Sequence, residues 1–228
     1  MNQKGNKGVV KKMIKDADDH NPVVPNNSGL IPRKQKTLVV PENSIEVLVN
    51  KERVLSAEYV PQDLVVPNIP FSFTGDLPKR KMRQEAARAV EMLFAQAERD
   101  GLQLTGVSAY RSYLRQQEIF TYNSKIRGEA EANKVSARPG ESEHQTGLAI
   151  DVSAPAVGYQ LIEEFGETKE GKWLRENAHK YGFIIRYPKG KEETTGYQYE
   201  PWHLRYVGQK AALVIVAKRL TLEEYTIT

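Results

Sequence analysis

The chain has 228 residues, 39% of them hydrophobic and 27% charged, with no cysteine. That balance fits a water-soluble protein with an apolar core, and the missing cysteine excludes disulfide scaffolds, thiolate metal sites and cysteine nucleophiles. The net charge of +4 resides in the first 53 residues, which hold ten Lys or Arg against six Asp or Glu, while the remainder is balanced; a neutral body argues against nucleic acid as ligand, because phosphate binding needs a clustered basic face.

Residues 1–36 have few large apolar side chains and several turn-prone runs, such as His20-Asn21-Pro22 and Pro25-Asn26-Asn27-Ser28-Gly29. They are expected to form a flexible tail or linker, leaving one domain over 37–228. Gly8-Val9-Val10 is too short for the apolar core of a secretory signal, and no apolar run reaches the roughly 20 residues of a membrane-spanning helix. From 38 to 73, short apolar pieces broken by proline predict short strands and extended segments. After Pro78, the spacing of Met82, Ala86, Ala89, Val90, Leu93, Phe94 and Ala97 predicts a helix over 79–100, stopped by Gly101.

A strand is expected at 103–109, then a helix at 113–126 with Leu114, Ile119 and Tyr122 inward, and a further helical turn or two at 129–135. A loop at 136–146 leads into a strand at 148–152. A helix over 172–181, a strand over 183–187, a loop over 189–196, a strand over 204–207 and a helix over 209–220 complete the chain. Helices mixed with short, non-periodic strands indicate an α+β fold rather than a doubly wound parallel sheet.

Two segments concentrate polar chemistry: Ser142-Glu143-His144-Gln145-Thr146-Gly147-Leu148-Ala149-Ile150-Asp151, and Tyr199-Glu200-Pro201-Trp202-His203-Leu204-Arg205-Tyr206. An aspartate on a mostly apolar strand is costly to bury unless a cation or donor meets it. His144, arriving from the preceding loop, can share that cation with Asp151, and His203 supplies a third ligand. Three N/O ligands with one open position describe a catalytic zinc site, and two imidazoles favour zinc over calcium or magnesium. Glu200, three residues before His203, is placed to take a proton from water whose pKa the metal lowers. Spacing alone leaves a metal site and an ordinary set of structural polar residues both open. His20 and His179 read as structural.

Together with Ser108-Ala109-Tyr110-Arg111-Ser112 and Tyr181-Gly182-Phe183-Ile184-Ile185-Arg186-Tyr187-Pro188, these segments, in this order, closely resemble the zinc D-alanyl-D-alanine carboxypeptidases of the VanY type, a group that includes L,D-carboxypeptidases. The resemblance spans roughly 54–220. It implies an α+β domain with a central antiparallel sheet flanked by helices, shared with hedgehog-type domains. It implies one zinc ion on His144, Asp151 and His203, with Glu200 as catalytic base, and Arg111 matches the family's arginine beside the metal. The implied substrate is a peptidoglycan stem peptide ending in D-alanine, outside the cytoplasm, although this sequence carries no export signal or anchor. A monomer is expected.

A carboxypeptidase must also recognise a free carboxylate, which arginine does through two parallel donors. Arg138, Ser142 and Gln116 are the candidate substrate contacts, with Tyr110 and Trp202 as aromatic neighbours; for Trp202, pocket wall and core packing both remain open. A non-catalytic zinc-containing cell-wall-binding module and an endopeptidase cutting cross-links are the alternative functions. The base at Glu200 argues against the first.

Overall fold

The computed structural model describes residues 41–227; the expected tail over 1–36 lies outside them. The segment 41–73 is mostly irregular, with a two-residue strand, β1 (Leu64–Val65), paired antiparallel with β2 (Met82–Arg83). Pro78 opens a 3-10 turn, and helix α1 runs only over Gln84–Arg99. The expected helix start at 79 was too early: the apolar stripe extends back to Met82, but Met82 belongs to a strand. Gly101 ends the helix in the left-handed region, at φ +76°.

Then come β3 (Thr105–Ser108), α2 (Tyr113–Arg127), α3 (Glu129–Val135), β4 (Ala149–Ser153), α4 (Lys169–Asn177), β5 (Phe183–Tyr187), α5 (Glu192–Thr195), β6 (Glu200–Tyr206), α6 (Gln209–Lys218) and α7 (Leu222–Tyr225). Ser112 and Thr168 cap α2 and α4 by accepting the amides of Arg115 and Gly171, and Thr221 and Glu224 form a reciprocal capping box on α7. Each such cap is worth about 1 kcal/mol. Two expectations need correction here. The 189–196 segment contains the short helix α5, and the last strand begins at Glu200 rather than 204, despite Pro201.

Strands β3, β4, β6 and β5 form one antiparallel sheet in that order, which is the expected α+β architecture. Register defines its two faces, because successive side chains alternate. Ile150 lies opposite Leu204, which lies opposite Ile185; Ala149 lies opposite Arg205, which lies opposite Ile184; Asp151 lies opposite His203. One face therefore carries Leu148, Ile150, Val152, Leu204 and Phe183, which join α1's Ala86, Val90, Leu93 and Phe94 in the main core. Burying each large aliphatic or aromatic side chain contributes about 1.5–3 kcal/mol. The other face carries Asp151, His203, Arg205 and Arg186, all buried, beside a small apolar cluster in which Ile184 meets Ala211, Ala212, Ile215 and Leu222 of α6 and α7.

Helix α2 contradicts its expected orientation. Leu114 and Tyr122 are more than half exposed, and the buried residues are Gln116 and Phe120. The inward face is selected by the hydrogen bonds of Gln116, which a count of apolar spacing does not register. Among the described residues, no helix is long and apolar enough to cross a membrane.

Candidate metal centre and active site

The loop before β4 is held at several points. Gly147 adopts φ +67°, where a β-carbon would meet the Leu64 side chain at 2.8 Å. Its carbonyl accepts the Arg83 amide. The Thr146 hydroxyl donates to the carbonyl of Glu143 and accepts the amide of Leu148, and the Gln145 amide donates to the carbonyls of Ser56 and Tyr59. These bonds fix the turn that delivers His144 to the head of β4.

His144, Asp151 and His203 are all buried, and one ligand atom from each lies within 4.8 Å of the others. Nδ1 of His144 bonds the Ala109 carbonyl at 2.7 Å, which requires a proton there and leaves Nε2, 3.3 Å from Asp151 Oδ2, as the lone-pair donor. His203 is turned the other way round: Nδ1 lies 2.9 Å from Asp151 Oδ1, and Nε2 faces Glu143 Oε2 at 3.4 Å. Each ring thus has one nitrogen tied to an acceptor and the other directed at the shared carboxylate. That donor chemistry fits a divalent cation of zinc type, with outer partners orienting both imidazoles.

Electrostatically the two rings differ: burial acts to lower His203, but its bonds to Asp151 and Glu143 outweigh this and raise it to about 9. Burial lowers the pKa of His144, favouring the neutral ring. Burial alone would raise Asp151, but the two histidines overcome it and hold the carboxyl well below the usual range. Glu200 behaves oppositely: burial dominates and pushes it up to about 7.

Glu200 Oε2 lies 4.0 Å from His203 Nδ1. A regular strand would put positions 200 and 203 on opposite faces. The β5–β6 ladder breaks between Ile185 and Tyr187, where Leu204 and then Glu200 are the partners; this irregularity brings both residues to one site, as bulges beside active sites do. A second irregularity in β3, between Gly106 and Ser108, precedes Arg111. The Arg111 amide donates to the His144 carbonyl, and its guanidinium bonds Gln116 Oε1 at 2.9 Å and Ser108 Oγ at 3.2 Å. One guanidinium nitrogen stands 4.0 Å from Asp151 Oδ2.

The remaining candidates divide. Gln116 uses its oxygen on Arg111 and its nitrogen on the Ala137 carbonyl, at 2.6 Å, so it supports the cation beside the metal ligands. Ser142 is buried next to Glu143 and His144. The Arg138 guanidinium pairs with Glu129 and lies over the Phe120 ring, away from the metal ligands. Tyr110 is buried, its amide bonded to the Lys81 carbonyl. Trp202 packs against the apolar core, on the strand face opposite His203. Tyr187 lies 5.0 Å from the His203 ring and 4.8 Å from Tyr197.

Sequence reasoning assigned no role to Glu143, Arg186 and Arg205. Glu143 Oε1 accepts from Arg186 Nε at 2.7 Å and from Arg205 Nη1 at 2.8 Å, and all three side chains are fully buried. The available signal was strand alternation, which puts position 205 on the same face as 203.

A family model described as D-alanyl-D-alanine carboxypeptidase, VanY, matches residues 79–209. The putative carboxypeptidase YodJ of Bacillus subtilis (strain 168) is 54% identical over 190 residues, covering 83% of this chain and 69% of that protein. The structure of the LdcB LD-carboxypeptidase superposes with a TM-score of 0.81 at 52% identity, covering 87% of this chain and 92% of that one. A vancomycin-resistance D,D-pentapeptidase VanY from a VanB-type cassette, in complex with Zn(II), gives a TM-score of 0.61 at 34% identity, covering 79% of this chain and 98% of that one.

Proposed function

This chain belongs to the VanY family of D-alanyl-D-alanine carboxypeptidases and is a zinc-dependent carboxypeptidase; we propose that it removes the terminal D-alanine from the tetrapeptide stem of peptidoglycan, an L,D-carboxypeptidase reaction. The observation that carries the hydrolytic reading is the buried trio of donors within 4.8 Å of one another, with Glu200 beside it rather than in it. The tetrapeptide preference is supported by the 52% identity to the LdcB LD-carboxypeptidase, against 34% for the D,D-pentapeptidase.

In this reading His144 Nε2, Asp151 and His203 Nδ1 hold the zinc. When bound, zinc supplies a Lewis acid that polarises the scissile carbonyl and eases deprotonation of water. Glu200 takes the proton of the attacking water and returns it to the leaving amine of D-alanine, a role suited to a carboxyl whose pKa lies near 7. The Arg111 guanidinium, fixed by Gln116 and Ser108, faces the charge that develops on the carbonyl oxygen. Ser142 and Arg138 are the proposed contacts to the terminal carboxylate; Arg138 must exchange Glu129 for substrate to serve. Tyr110, next to Arg111 in the chain, and Trp202, packed into the core, have no chemical role. The reaction takes place outside the cytoplasm, where stem peptides of the wall are found, and the enzyme acts as a monomer.

Synthetic muropeptides ending in tetra- and pentapeptide, incubated with and without chelator and read by mass spectrometry, test this. Loss of one alanine from the tetrapeptide alone, abolished by chelation and restored by zinc, is expected. Loss from the pentapeptide alone reverses the specificity, and cleavage of cross-linked dimers identifies an endopeptidase. No product from any substrate, with zinc bound, leaves a binding module.

A further inference from the structure

We propose that Glu143 is a positioning residue for the zinc ligand His203, clamped between two buried arginines so that its free oxygen holds the ring nitrogen opposite the metal. With His203 holding the cation through Nδ1, its Nε2 would carry the N–H, and Glu143 Oε2, 3.4 Å away, is the acceptor that faces it. The other oxygen of Glu143 is occupied by Arg186 Nε and Arg205 Nη1.

Both arginines are fixed at their far ends. Arg186 makes a two-pronged bond to Glu223 of α7, at 2.9 and 2.6 Å, and the Asn50 side chain donates to the same carboxylate. Arg205 donates to the carbonyls of Ile45, Val47 and Tyr206. A carboxylate accepting from two immobilised guanidinium groups cannot rotate away from His203 without breaking charge-assisted bonds. An ionised acceptor on the far nitrogen also raises the basicity of the metal-facing one.

The clamp reaches beyond the residues that the family model matches, 79–209. Glu223, Asn50, Ile45 and Val47 lie outside that span, on α7 and on the irregular segment before β1. These flanking pieces therefore serve the metal centre through Arg186 and Arg205, in addition to packing Leu48 and Leu222 into the small apolar cluster.

The inference rests on zinc binding at His144, Asp151 and His203, and the test separates the two. Zinc dissociation constants are measured by chelator competition on refolded, metal-free protein, with circular dichroism and a melt on each sample. Arg205→Met keeps Glu143 with Arg186; Glu143→Met/Arg205→Met removes the carboxylate while balancing buried charge. The single variant, which loses one of the two clamping arginines, should bind zinc about threefold more weakly than the parent, and the double variant about 10–100-fold more weakly. Glu143→Gln, which keeps the length and one acceptor oxygen, covers a failure of the double variant to fold and should weaken zinc about tenfold. A purely structural Glu143 would lower the melting temperature and leave the zinc affinity of folded protein unchanged, and that result overturns the proposal. A parent protein that binds no zinc would instead refute the metal site itself.

Discussion

On one face of the sheet Ile150, Val152, Leu204 and Phe183 pack with α1; on the other, Asp151, His203, Arg205 and Arg186 project from the same strands and are just as buried. The first face stabilises by removing apolar area from water. The second places buried charges that only just offset their own desolvation when every partner is present. Strand alternation puts the two a single residue apart in sequence, so a rigid apolar layer directly backs the groups that must hold a cation within tenths of an ångström. The comparison teaches why Asp151, His203 and Glu200 sit on strands, with His144 and Arg111 added from the adjoining loops: the strand backbone is fixed by the core that the neighbouring residues build.

Substitutions on the two faces should therefore separate activity from stability. The largest effect is expected for Glu200→Gln, which should lower kcat about 10²–10⁴-fold while zinc content, measured by elemental analysis, stays at the parental level. An active variant would reassign the base. Next is Arg186→Met, which leaves Glu143 and Glu223 each short of a cation; urea unfolding of the metal-free protein should show a loss of about 3–5 kcal/mol. An unchanged midpoint would mean that the charged face is not tightly packed.

Ile150→Ala, on the apolar face, should cost about 2–5 kcal/mol yet leave zinc affinity of the folded protein intact; a large change in affinity would show that the two faces are not separable. Least of all should follow from Leu114→Ser on exposed α2, within about 0.5 kcal/mol of the parent. A larger loss would restore the inward orientation that apolar spacing suggested.

How far the fold was legible follows from the same contrast. Helix α1 declares itself because its inward positions are all apolar, from Ala86 to Ala97, and only its start was misplaced, by the stripe running back through Met82 of β2. Helix α2 does not, because its inward residues are Gln116 and Phe120 and its orientation is set by bonds to Arg111 and Ala137. Strand β6 extends back to Glu200, beyond the expected 204: Pro201 and three polar residues conceal a strand whose irregular pairing with β5 is what brings Glu200 beside His203.

In the candidate site, His144, Asp151, His203, Glu200 and Arg111 could be named from their segments, and the structure brings all five together. Arg138 could also be named, but its guanidinium lies against Glu129 and Phe120. The clamp of Glu143, Arg186 and Arg205 was not legible. Its members are 43 and 62 residues apart from Glu143, and each alone reads as a surface charge until the register places them on one buried face.

The most direct measurement of the central claim is zinc stoichiometry on purified protein beside His203→Ala, coupled to the tetrapeptide assay. The account predicts one zinc per parental chain, activity lost to chelation and regained with zinc, and no tightly held zinc in the variant. Parental protein that neither contains nor takes up zinc, or a variant that retains a full equivalent, would contradict it.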